Sequence, residues 1–564
     1  MNEEVWAEDA VDAAGGLDLL LTDAALGMLH HLRPDSSLLR LAGRLARRPE
    51  FTARQVGRLG AELGRIAAGR SAVAADPRDR RFADPAWKDN PFLRRSVQAY
   101  LAGARCGEEL LAGAELPWRD DTRLKFLLAN LIAAAAPSNN PLFSPVGWKA
   151  LIDTGGGSAV RGLRALASDL AAPPRVPSMV TPGAFEVGRD LAATPGGVVL
   201  AEERFELIQY QPLTDTVHRY PLLIVPPMIN KYYIIDLAPG RSMVEFLVAQ
   251  GHQVFVMSWR NPDARHRDWG LDTYGAALAQ ALAAVRAVSG AAKAHVLALC
   301  SGGIMASMVA AHMSVTGHLD ELASLGLGVA VLDQSRAGTV TAIIDSKTAA
   351  AAAAVSAARG YLDGRALAEV FAWLRPDDLI WNYWINNYLE GKPPPTFDIL
   401  YWNADVTRLP AALHHDFIRL GLANALTKAD EATMLGSPVD VSKIDVDAYV
   451  IAGITDHLCP WQSCYRTTQM LGGQVKFVLS TSGHIAAMVN PPTNKKAAFQ
   501  TAPSNPADPR EFLASAATVA GSWWPDYSAW LAERGGGEKK SPRTLGSKAH
   551  PVLTAAPGTY VHDR

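Results

Sequence analysis

An apolar run, His295-Val296-Leu297-Ala298-Leu299, ends abruptly in Cys300-Ser301-Gly302-Gly303, and a helical stretch, Ile304 to His312, follows. The pattern is strand, sharp turn, helix, with a thiol at the apex where the neighbours need almost no side-chain volume. Downstream, an aspartate lies in Gly453-Ile454-Thr455-Asp456-His457 and a histidine in Ser482-Gly483-His484, each just after a strand-like run. In that chain order His484 is placed to act as base toward the Cys300 thiol, and Asp456 to fix the imidazole tautomer. The N–H of Ser301, the residue after the nucleophile, offers one oxyanion donor. The second belongs to the loop Val225-Pro226-Pro227-Met228-Ile229-Asn230. Its two prolines carry no N–H, so Met228 and Ile229 are the first candidates, and the sequence does not choose between them.

A thiol at the apex narrows the chemistry. A thiol attacking a thioester exchanges one thioester for another, nearly isoenergetically, so the acyl group stays activated on the protein. A serine would sink it into a less reactive ester. The choice suits acyl transfer from a thioester donor to a poor nucleophile such as an alcohol, whereas a hydrolase gains nothing from it.

The elements that must position these groups are legible as patterns. The first ~190 residues read as mostly helical, for example Leu17 to Leu32, Leu38 to Leu45, and Arg123 to Ala136 closed by Pro137. Pro- and Gly-bearing connectors follow, including Ala172-Pro173-Pro174 and Thr194-Pro195-Gly196-Gly197. Beyond them come short β-rich runs: Phe205 to Tyr210, Leu222 to Val225, Val254 to Met257, Val296 to Leu299, Leu327 to Leu332, Ala448 to Ala452 and Val475 to Leu479. Several are nearly continuous apolar runs separated by helical patterns, the mark of parallel strands covered on both faces. With nucleophile, acid and histidine in that order, the reading is an α/β fold of the α/β-hydrolase type. A mostly helical N-terminal domain (1–200) precedes the catalytic domain (201–564).

Between Asp333 and Ala448 lies a stretch far longer than one crossover needs. It begins with an Ala-rich helix (Ala349 to Ala358) and holds Trp373, Trp381, Tyr383, Trp384, Tyr388, Tyr401 and Trp402. These aromatics either form the core of a plain inserted subdomain or line a cap with an apolar acyl pocket. Insertions at this point of such sheets sit over the strand ends, so a helical cap over 334–445 is expected.

Other residues carry plainer readings. His457 is read as structural or supporting, because a triad needs one histidine, and His295 as a core histidine. Cys459 and Cys464 are read as packing residues near the aspartate loop, and Ser301 sits one position past the apex. No HExxH, CxxC pair or P-loop is present, so neither a metal nor a nucleotide phosphate site is expected. Lys+Arg 54 against Asp+Glu 56 leaves a net charge of −2, which excludes a general basic field for nucleic acid. At 564 residues, 49% hydrophobic and 20% charged, the chain is a globular protein of two or more domains. No run approaches the ~18 apolar residues of a membrane span. Four scattered cysteines and an acidic start, Met1-Asn2-Glu3-Glu4, lead to the expectation of a reduced, cytoplasmic protein.

Together the motifs resemble those of the polyhydroxyalkanoate synthases, bacterial enzymes that polymerise (R)-3-hydroxyacyl-CoA. The resemblance runs from about Asn90 to the C-terminus. It is carried by Asn90-Pro91-Phe92-Leu93-Arg94-Arg95, Val225 to Tyr233, Ser258-Trp259-Arg260-Asn261-Pro262 and Cys300-Ser301-Gly302-Gly303. It continues through Asp378 to Tyr383, Phe397 to Asn403, Asp456 to Trp461, Ser482-Gly483-His484-Ile485, Asn490-Pro491-Pro492, Ser522-Trp523-Trp524-Pro525 and Pro557 to Val561. Ala184 to Gly188, the Cys-Ser-Gly-Gly box and the ending Gly558 to His562 look most like the class II enzymes, which use medium-chain monomers. Ala298 stands where the box usually has glycine.

The resemblance implies that Cys300 bears the acyl chain, with Asp456 and His484 as its partners. It implies a coenzyme A thioester substrate and no separate cofactor. It also implies a growing polyester product, a homodimer, and a cytoplasmic site at the granule surface beside other granule-associated proteins. A cysteine thioesterase or polyester depolymerase on the same fold, and a non-catalytic granule-coating protein, are the alternatives.

Overall fold

The computed structural model describes residues 36–171, 173–335, 346–456 and 458–564. The helix expected over Leu17 to Leu32 and the role read for His457 lie outside them. The chain forms two compact units. One holds the described residues up to Pro182 together with Arg365–Phe397, and the other holds Gly183–Gly364 and Asp398–Arg564.

The first unit is helical: Ser36–Ala46, Pro49–Ala67, Pro91–Ala112, Trp118–Ala134, Pro145–Asp153 and Gly157–Ala171. Local chemistry sets the starts. Asn90 precedes a proline and accepts from the N–H groups of Phe92 and Leu93, capping Pro91–Ala112. The insertion residues Arg365–Phe397 are built into this unit. There Trp384 Nε1 donates to the Asn139 carbonyl (3.0 Å), the Tyr388 hydroxyl to Asp169 (2.7 Å), and Asn387 to the Ser178 carbonyl (2.7 Å). Trp381, Trp384 and Tyr388 stack edge to face in series, so these aromatics form a core with the helices.

The second unit is organised by one eleven-stranded sheet. In chain order its strands are β1 (Gly196–Ala201), β2 (Phe205–Tyr210), β3 (Leu222–Val225), β4 (Val254–Trp259), β5 (Ala294–Leu299) and β6 (Leu322–Gly328). Then come β7 (Ala448–Gly453), β8 (Val475–Ser480), β9 (Ala498–Thr501), β10 (Ala517–Ala520) and β11 (Thr554–Ala555). Across the sheet they run β10-β9-β8-β7-β6-β5-β3-β4-β2-β1-β11. The six from β4 to β8 are parallel, and the flanking pairs are antiparallel. The swap of β3 and β4, with β2 reversed, is the strand order of the α/β-hydrolase fold. It puts a topological switch at β3, between β4 and β5, and ligands bind beyond the strand ends at such a point.

The apolar runs behave as their composition demands: β3, β4, β5 and β7 are buried along their whole length. His295 is a core residue, 1% exposed, with Nδ1 on the Ser324 hydroxyl at 2.7 Å. One strand is displaced from the expected run. It covers Leu322–Gly328 and stops before Val329, whose φ of 46° turns the chain out of the ladder. The strand β1 begins inside the Pro-Gly connector, and β9, β10 and β11 gave no apolar signal because they are short, partly exposed edge elements.

Candidate active site

Cys300 occupies the single residue between β5 and the helix Ser301–Thr316. Its backbone sits at φ 50°, ψ −121°, a conformation a non-glycine residue holds only when its surroundings over-determine it. Here the Cys300 N–H is tied to the Gly328 carbonyl at the end of β6 (2.8 Å), and its carbonyl accepts from Gly303. The two glycines let the turn close. A Cβ on Gly302 would lie 2.7 Å from the Pro226 carbonyl oxygen, and one on Gly303 would lie 2.6 Å from the Ala330 side chain. The following helix is apolar almost all round because it is buried almost all round.

The acid and the histidine arrive from the ends of β7 and β8. Gly453 lets those two loops touch, since a Cβ there would lie 2.5 Å from the Ser482 carbonyl oxygen. Ile454 N–H then bonds the Ser480 carbonyl at 2.8 Å. Asp456 is buried and its Oδ2 lies 2.7 Å from Nδ1 of His484, the first residue of the helix His484–Val489. Asp456 Oδ1 accepts from the N–H groups of Leu458 (2.8 Å) and Cys459 (2.9 Å). One carboxylate therefore orders both the imidazole and the loop that carries Cys459. With Nδ1 engaged, Nε2 is the His484 nitrogen left to face the thiol.

The sulfurs of Cys300 and Cys459 and a ring nitrogen of His484 all lie within 4.8 Å of one another. The Cys300 pKa falls to about 5. The Cys459 thiol does most to stabilise the thiolate, burial opposes it, and His484 and the Ser301 N–H add to the lowering. The Cys459 pKa is pushed well above its ordinary value by the facing Cys300 sulfur and by burial. Burial pushes His484 down, but the Asp456 charge and hydrogen bond, helped by Cys300, more than offset it and raise the pKa to about 10. Both shifts favour a thiolate beside an imidazolium.

The two candidates for the second oxyanion donor differ. The Met228 N–H donates to the Ser301 hydroxyl at 3.2 Å, whereas the Ile229 N–H has no acceptor among the described residues. Ser301 is fully buried and holds this loop, so it is not an exposed nucleophile. Among the described residues no second group of three histidine, cysteine or acidic side chains converges to offer a metal a site.

Comparison with known proteins places the chain in a lineage. A family described as the N-terminus of poly-beta-hydroxybutyrate polymerase (PhaC) matches residues 78–247, and the alpha/beta hydrolase fold matches residues 234–491. The chain is 44% identical over 518 residues to poly(3-hydroxyalkanoate) polymerase 1 of Ectopseudomonas oleovorans, covering 92% of each chain. It is 39% identical to the poly(3-hydroxyalkanoate) polymerase subunit PhaC of Cupriavidus necator, over 88% of this chain and 85% of that one. The chain belongs to the poly(3-hydroxyalkanoate) polymerase family. Among solved structures, a monoacylglycerol lipase of Paleococcus ferrophilus aligns with a TM-score of 0.31 and 11% identity, over 58% of this chain and 99% of its own.

Within this polymerase, Ala298 is fully buried in β5 and paired with Val225 and Leu327. The reading of Cys459 as a packing residue near the aspartate loop holds, and the structure adds a second contact. It is 6% exposed, and its sulfur lies within 4.8 Å of that of Cys300. The signal in the sequence was its place three residues after Asp456, which becomes informative only once the aspartate loop is known to fold back over the elbow. Cys464 keeps the packing role, fully buried with its sulfur 3.8 Å from the Cys459 carbonyl oxygen.

Proposed function

We propose that this polymerase carries its acyl chain as a thioester on Cys300 and lengthens it through the 3-hydroxyl of (R)-3-hydroxyacyl-CoA, releasing coenzyme A. The observation that carries the reading is a thiol at a strand–helix elbow, facing an imidazole that a buried carboxylate orients. The Cys300 thiolate attacks the thioester carbonyl, and the oxyanion is received by the N–H groups of Ser301 and Ile229. Collapse expels the coenzyme A thiolate, which takes the proton from His484 Nε2. The imidazole, now neutral, removes the proton of the next monomer's 3-hydroxyl as that oxygen attacks the Cys300 thioester. Cys300 leaves as thiolate beside the regenerated imidazolium, and the chain, longer by one unit and borne on coenzyme A, returns by the first step.

Asp456 acts on the imidazole rather than on the hydroxyl in this scheme. Its oxygens are already committed to His484 and to two backbone N–H groups, which leaves it little capacity to reach an incoming alcohol. The thioester brings its own activation, so no cofactor is required. A homodimer at the surface of a polyester granule belongs to the same proposal. For the fold, no helix among the described residues is long and apolar enough to cross a membrane.

Purified protein given one (R)-3-hydroxyacyl-CoA should release coenzyme A and form polymer, and the nearly isosteric Cys300→Ser variant should do almost neither. Coenzyme A release without polymer would favour the thioesterase. Activity of Cys300→Ser within a few-fold of the parent would overturn the assignment of the nucleophile.

A further inference from the structure

We propose that Cys300 and Cys459 form a peroxide-responsive dithiol, in which an intramolecular disulfide reversibly switches the polymerase off and protects its nucleophile from terminal oxidation. Two thiols face each other in the active site, with sulfurs within 4.8 Å. Both are free thiols in the structure, not joined by a disulfide. The proposed mechanism uses only one of them as a nucleophile.

The two sulfurs are unlike in the way that such a pair needs. Oxidation starts at a thiolate that solvent reaches, and it becomes reversible when a second thiol stands ready to resolve the sulfenic acid. Cys300 is the partly exposed member, its thiolate favoured by the facing Cys459 thiol and by His484, whereas Cys459 is buried and its pKa is raised. The backbone anchors differ too. Cys300 is pinned at the elbow by its bond to Gly328, while Cys459 sits in a non-helical loop held through its N–H to Asp456. A disulfide needs the sulfurs at about 2.05 Å, so the loop side is the one that closes. Cys464 does not compete, being fully buried and directed at the Cys459 carbonyl.

The oxidant is hydrogen peroxide or an organic hydroperoxide. The Cys300 thiolate attacks one peroxide oxygen, the O–O bond breaks, and a sulfenic acid forms. The departing hydroxide, or alkoxide, takes a proton to leave as water or an alcohol. The Cys459 thiol then gives up its proton as its sulfur attacks the Cys300 sulfur. The S–O bond breaks, the S–S bond forms, and the hydroxyl leaves with that proton as water. In sum two thiols and one hydrogen peroxide give one disulfide and two waters, a two-electron oxidation of sulfur matched by reduction of the peroxide. Only the loss of activity rests on Cys300 being the nucleophile, since the bridge itself rests on geometry.

The test uses the full-length chain, reduced and freed of reductant, then treated with hydrogen peroxide from one to several molar equivalents. Intact mass and non-reducing peptide mapping are read beside coenzyme A release, before and after dithiothreitol. The expected result is loss of two hydrogens, a linked peptide joining Cys300 to Cys459, and at least tenfold loss of activity that dithiothreitol restores. The same treatment of Cys459→Ser should leave Cys300 carrying two or three oxygens, with no recovery. Oxygen gain on Cys300 of the parent without a linked peptide, or a bridge to Cys464, overturns the proposal. A Cys300–Cys459 bridge with activity intact leaves the dithiol standing and removes Cys300 as the acyl-bearing residue.

Discussion

Replacing Cys459 by alanine removes the side chain that contributes most to holding Cys300 as a thiolate. A hydrogen bond to a charged group contributes roughly 1.5–3 kcal/mol, and one pKa unit corresponds to about 1.4 kcal/mol. A thiol is a weak donor, so the low end applies and the Cys300 pKa should rise by roughly one unit. The sign is fixed by the reacting form. Thiolate is lost as pH falls through the Cys300 pKa, about 5 in the parent, so a raised pKa carries the acidic limb of activity toward neutrality. The alkaline limb belongs to His484, held up to about 10, and should stay where it is.

The groups facing the thiol are Cys459, the His484 ring and the Ser301 N–H, with Asp456 behind the ring and Cys464 behind Cys459. The assay is the rate of iodoacetamide alkylation of Cys300 across pH, which reads thiolate without substrate, beside kcat/KM for coenzyme A release over the same range. Cys459→Ser keeps a donor and should return the limb toward its parental position. An unmoved limb in Cys459→Ala refutes the donor role. A limb moved equally by alanine and serine shows that packing, not donation, sets the thiol.

His484→Gln should abolish both acyl loading and chain growth, because both need its proton transfers, and intact-protein mass spectrometry with one hydroxyacyl-CoA reads the loading step directly. Asp456→Asn should slow loading and elongation together, by a factor on the order of 10⁴ when the tautomer is wrong; normal loading with stalled elongation would instead give Asp456 a role at the hydroxyl. Gly302→Ala forces a methyl group against the Pro226 and Val225 carbonyl oxygens, so a loss of about 1–3 kcal/mol in stability and a larger fall in kcat than in substrate affinity are expected from denaturant unfolding and steady-state kinetics. A cap that gates the site predicts a lag that shortens as enzyme concentration rises, and lag-free progress curves with constant specific activity would reject it.

The sequence alone determined the parallel core and singled out, in order, Cys300, Asp456 and His484, which the fold brings together. Buried parallel strands need uninterrupted apolar runs, and an elbow needs a small-residue neighbourhood, so both leave a mark at short range in residues such as Val296 to Leu299 and Cys300 to Gly303. The edge strands left none, because Ala517–Ala520 and Thr554–Ala555 are fixed by partners far away in the chain rather than by their own pattern. Tertiary structure also decided how the long insertion divides. Trp384 and Tyr388 find their hydrogen-bond partners at Asn139 and Asp169 in the helical unit, while Trp402 donates to the Lys231 carbonyl beside the oxyanion loop. Aromatic content announces burial but not the surface that does the burying. Cys459 is the sharpest case: a small apolar thiol reads as packing in any local window. Its proximity to Cys300, 159 positions away in the chain, exists only because β5 and β7 run parallel with β6 between them and end on the same side of one sheet.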